Sequence, residues 1–118
     1  MHTANDENGL RKPLDLRPFH AIRAGNEREL LRLIEDGSDI NGIDAAGWSP
    51  SIFASFEGQD GFLLVIARKG ADLERTNDSG RTPALFATGR RFEACLRSLV
   101  EHGADVVKAD FDGWTPPL

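Results

Sequence analysis

Between Gln59 and Lys69 the apolar residues Phe62, Leu63, Ile66 and Ala67 fall at helical spacing, which predicts a helix with one buried face. A shorter helix is predicted just upstream, from Pro50 to Glu57. Ser49 supplies a hydroxyl for the first orphan amides, and Pro50 has no amide of its own to leave unmet. Gly58 is placed to end that helix in the left-handed conformation, and Gly70 closes the second one. Before the pair stands Asp44-Ala45-Ala46-Gly47, a turn signal with glycine where positive φ is needed. After it, Ala71-Asp72-Leu73-Glu74 leads extended into the next turn.

The same unit recurs. Gly37, Gly70 and Gly103 stand 33 residues apart, as do Gly47, Gly80 and Gly113. Pro50, Pro83 and Pro116 keep the step, and so do Asp39, Asp72 and Asp105, and Ala21, Ala54 and Ala87. A fixed period of this length means one supersecondary unit copied along the chain. The copies run about 15–43, 44–76 and 77–109, with a partial copy at 110–118. A polar segment, 1–14, precedes them and is expected to be a flexible tail.

Asn77-Asp78-Ser79-Gly80-Arg81-Thr82-Pro83 and Gly103-Ala104-Asp105-Val106 resemble the ankyrin repeat, as do Gly70-Ala71-Asp72-Leu73 and Gly37-Ser38-Asp39-Ile40-Asn41. The resemblance covers about residues 15 to 118. It implies an all-α repeat fold, a solenoid of stacked helix-turn-helix units with β-hairpin fingers. Two departures stand out. The family's Leu-His pair is replaced by Ser51-Ile52 and Ala84-Leu85, and His20 falls one place off that column, so apolar packing must join the units. Arg91 occupies the column of Gly25 and Gly58, where a left-handed residue with a side chain costs about 1 kcal/mol. Positive φ or a rebuilt turn is expected there.

The first copy carries Glu29 and Arg32 where the middle one has Phe62 and Val65, the polar outer face of a capping unit. No equivalent cap is visible before Leu118. That suggests a fragment of a longer protein, or self-association through the third copy.

Composition narrows the function classes. With a net charge of −5 and a pI near 5.1, general attraction to nucleic acid or anionic lipid is not expected. No apolar run approaches ~18 residues, so no membrane span is expected. Cys95 is the single cysteine, which excludes an internal disulfide and fits an intracellular, most simply cytoplasmic, setting. It reads as a packing residue. His2, His20 and His102 lie in unrelated parts of the unit, and neither metal spacing nor a nucleophile motif occurs. No enzyme, metal or cofactor is expected, and the recurring Asp39, Asp72 and Asp105 belong to the architecture.

The resemblance also implies where a partner would bind, because hairpin tips and first helices line one concave side in that family. The turn slots are Ala45, Ala46 and Trp48, then Asp78, Ser79 and Arg81, then Phe111, Asp112 and Trp114. The first-helix slots are Arg23 and Ala24, Phe56 and Glu57, Gly89 and Arg90. Trp48, Arg81 and Trp114 share one column. With packed elements about 10 Å apart they would form a ladder of a cation between two aromatics. Trp and Arg dominate interface energetics. Phe53 and Phe86 are assigned to the space between helices. The function expected is a protein-protein interaction module, an adaptor or steric inhibitor. A toxin-neutralising immunity protein and a regulatory piece of a larger enzyme or channel are the alternatives.

Overall fold

A computed structural model describes residues 14–105. The tail at 1–13, the end of the third copy from 106 and the partial copy 110–118 lie outside the described residues. Among the described residues six helices follow one another: α1 Arg17–Ala24, α2 Glu27–Glu35, α3 Pro50–Glu57, α4 Asp60–Arg68, α5 Pro83–Gly89 and α6 Glu93–Glu101. The described part is all-helical, and both the short and the long helices start at the 33-residue step.

Local chemistry accounts for the starts. Ser49 Oγ accepts from the amide of Ile52 at 3.3 Å and Thr82 Oγ1 from that of Leu85 at 3.2 Å, each followed by the predicted proline. The ends are still more regular. The amides of Asn26, Gln59 and Phe92 reach back to the carbonyls of Ala21, Ala54 and Ala87, each at 2.9 Å. After the long helices, Ser38, Ala71 and Ala104 donate to Leu33, Ile66 and Leu99 at 2.9, 3.0 and 2.9 Å. These six-to-one bonds satisfy carbonyls that a helix end leaves open, and they require a left-handed residue at the reversal. Gly25, Gly37, Gly58, Gly70 and Gly103 provide it in five places; Arg91, at φ 63°, provides it in the sixth. The expected strain at Arg91 is therefore present, and the turn is not rebuilt around Gly89, which ends α5.

Each short helix packs on its own long helix, α1 on α2, α3 on α4 and α5 on α6. The short helices also pack side by side in the order α1, α3, α5, and α4 packs on α6. Ala21, Ala54 and Ala87 are all buried, and their small size lets neighbouring short helices approach closely. Ile22, Leu30, Leu33, Leu63, Ile66 and Leu99 fill the space between the two rows. At the column of Glu29, Phe62 and Cys95, the latter two are buried, whereas Glu29 pairs with Arg32 at 2.6 Å and Arg32 with Asp36 at 3.0 Å. In the first unit this column is thus charged, where the other two bury apolar or thiol side chains.

Among the described residues no strand forms, so the expected hairpin fingers are tight turns here. Asp44 Oδ1 accepts from the amides of Ala46 and Trp48, and Asn77 Oδ1 from those of Ser79 and Arg81, all at 2.9–3.0 Å. Those amides are taken up within the turn and are lost to a ladder. One bond, from the amide of Asp78 to the carbonyl of Ala46 at 3.2 Å, joins the two turns. Farther along, Asn41 Oδ1 accepts from the amide of Asp72 at 2.8 Å, and Glu74 Oε2 from that of Asp105 at 2.6 Å, the same link one period on.

Residues 58 and 91 share a column yet should respond oppositely to substitution. A Cβ on Gly58, at φ 73°, would lie 2.9 Å from the Phe92 ring, so Gly58→Ala should lower stability by more than about 1 kcal/mol. Arg91→Gly relieves the left-handed strain, partly offset by the greater freedom of glycine in the unfolded chain, and should raise stability by roughly 0.5 kcal/mol. Urea unfolding of both variants checks this; loss of stability in Arg91→Gly would contradict it.

Candidate functional site

Trp48 closes the Asp44 turn and sits at the junction of α3 and α5. Its backbone is held at both ends: its amide donates to Asp44 Oδ1 and its carbonyl accepts from the amide of Asp44, each at 2.9 Å. The half-buried indole then meets three phenyl rings. Centroids lie 5.0 Å away for Phe56, 4.9 Å for Phe86 and 6.4 Å for Phe53. Phe56 and Phe86 meet edge to face at 5.7 Å, and Phe53 meets Phe19 in the same manner at 5.7 Å. Five rings from three successive units thus form one continuous strip, each contact within the range where aromatic pairs attract beyond simple burial.

Cations cover the strip. Arg90 places its guanidinium carbon 4.3 Å from the centroid of Phe56 and 5.4 Å from that of Phe92. Arg23 lies 5.4 Å from that of Phe53 and pairs with Glu57 at 3.8 Å. Arg81, half-buried, shares a groove of about 270 Å³ with Phe56, Leu85, Phe86, Gly89 and Arg90.

The predicted positions therefore separate into groups. Trp48, Phe56, Arg81 and Arg90 come together around the strip and its groove, with Glu57 tied in through Arg23. Ala45, Ala46, Asp78 and Ser79 are exposed at the two turn tips beside it. Trp114, Phe111 and Asp112 lie outside the described residues, and so does the third rung of the proposed ladder. Phe53 and Phe86, assigned to the space between helices, also reach the strip. Phe53 does pack against the core, but it also carries Arg23 and meets Trp48. Phe86 lines the groove. A usable signal was present: Phe53 and Phe56 are one helical turn apart, and Phe86 repeats the Phe53 column one period later.

The remaining reactive side chains are accounted for by structure. His20 is exposed on α1, and His102 Nδ1 donates to the carbonyl of Ser98 at 2.8 Å, closing the end of α6. Cys95 is buried, and burial, with a smaller effect of Asp60, pushes its thiol up to about 11. No group of three or more potential metal-ligating side chains is found among the described residues. None of the helices there is long and apolar enough to cross a membrane. Compared with protein-family models and with curated proteins, the chain matches none.

The Cys95 environment predicts a thiol that reacts only through opening of the fold. Labelling by a thiol reagent at neutral pH should be slow and should accelerate with denaturant in step with unfolding. Above pH 9.0 the unfolded thiol loses its proton while the folded one keeps it up to about 11, so stability should fall across that window. Cys95→Ala should remove this slope. Fast labelling of the folded chain would contradict the assignment.

Proposed function

We propose that this chain is a non-catalytic, ankyrin-type protein-binding module, an adaptor or steric inhibitor that acts by holding a partner against the aromatic strip. The observation that carries this reading is the placement of Trp48, Phe56 and Phe86 together, half-buried, at the junction of two units with an arginine stacked on the outside. Tryptophan and arginine at a partly desolvated surface are the residue types on which association energies concentrate. The three helix pairs at a 33-residue step, with matching caps and matching links between turns, support the repeat assignment. They make the surface rigid before a partner arrives, so little ordering entropy opposes binding.

Affinity capture from native extract tests this, comparing the unmodified chain with a Trp48→Ala/Phe56→Ala variant whose helix content is unchanged. The partner should be held by the unmodified chain and weakened in the variant by about 2 kcal/mol or more, roughly 30-fold. Equal capture by both would move the site away from the strip.

A further inference from the structure

The groove beside Phe56 and Phe86 specifies what such a partner presents, an inference that rests on the protein-binding reading above. Its described lining is two phenyl rings, Leu85, Gly89 and the arginines Arg81 and Arg90, with no carboxylate among those described residues. That is informative in a chain of net charge −5. Four other surface hollows each include acids: Asp15, Asp36 and Asp39 in one, Asp72 and Glu74 in another, and Asp44 and Glu93 in the remaining two.

Arg90 differs from the other ring-stacked arginine in the same respect. Arg23 is neutralised by Glu57, whereas Arg90 is exposed, and no described carboxylate lies within ion-pair distance of it. The guanidinium carbon lies 4.3 Å from the Phe56 centroid and 5.4 Å from that of Phe92, contacts that leave its charge unneutralised, and a guanidinium carries five N–H donors in a fork that suits a planar acceptor. At about 270 Å³ the groove is smaller than the ~300 Å³ at which small-molecule sites begin, which suits one side chain of a longer ligand.

We infer that the groove takes an acidic segment of a partner protein. A bulky apolar side chain lies in the groove against Phe56 and Phe86, which already touch each other, and a carboxylate one or two residues away accepts a bidentate pair of bonds from Arg90. Both features are needed: the rings alone accept any apolar residue, and the arginine alone any acid.

Fluorescent, amidated nonapeptides in a Gly/Ser background test this by polarisation against the full chain. One carries a central Phe flanked by Asp, one a central Phe flanked by Lys, and one a central Ser flanked by Asp. The Asp-flanked Phe peptide should bind about tenfold more tightly than either of the others, and added salt should reduce the preference. Arg90→Glu should invert the order so that the Lys-flanked peptide binds best, a gain that unfolding does not produce. Equal binding of all three peptides, or an Arg90→Glu variant with unchanged order, would overturn the proposal. So would tighter peptide binding by an Asp112→Asn variant, which would make the chain's own Phe111-Asp112 the occupant. If the Trp48→Ala/Phe56→Ala variant loses its partner while Arg90→Glu keeps both partner and peptide order, the module reading stands and the acidic-segment inference falls.

Discussion

Every described helix ends in a reversal closed by the same six-to-one hydrogen bond, and each reversal needs one residue with positive φ. That constraint organises the chain. A bond of this kind contributes only about 1 kcal/mol net. Its larger effect is geometric: it returns the chain at a fixed angle, so each long helix lies back along its short partner. Repeating the closure at a constant step makes the three pairs equivalent, and equivalent pairs stack. The one place where a side chain accepts the constraint, Arg91, lies next to the arginine that covers Phe56. Local strain and the candidate binding surface therefore adjoin.

Stacking explains why the aromatic strip exists at all. No single unit could bury Trp48, because its rings of contact come from its own helix α3 and from α5 of the following unit. The indole is thus a product of the repeat junction, and so is the groove, whose lining joins Phe56 to Leu85 and Phe86. A surface assembled across a junction is as rigid as the junction. In a quasi-one-dimensional stack, where each unit contacts only its neighbours, stability and binding geometry are then set by the same contacts.

Much of this was legible from residues. The step between Gly37, Gly70 and Gly103, the Ser49-Pro50 and Thr82-Pro83 dipeptides and the Arg91 exception located the helix pairs and the strained turn, because caps and left-handed positions are local chemistry. Trp48, Phe56 and Arg90, chosen from the repeat columns, meet around the Phe56 ring. Less legible was what depends on the distance between units. Phe53 and Phe86 look like core residues by helical phase, yet each is only half-buried and packs against Trp48 from a different unit or turn. Ser51 and Ser55 are the converse: polar in sequence, fully buried in α3, with hydroxyls that make no hydrogen bond. Among the described residues no finger strands form, and there Asp44 and Asn77 take the turn amides, a competition that residue type signals only weakly.

The coupling of Trp48 to the stack is tested most directly by following unfolding with two probes in a Trp114→Phe variant, so that emission comes from Trp48 alone. If the strip is held by the junction of α3 and α5, indole emission and far-ultraviolet helix signal should change together, with one midpoint in urea. An emission change that is complete while the helices remain intact would show that the strip opens independently of the stack, and would contradict the account.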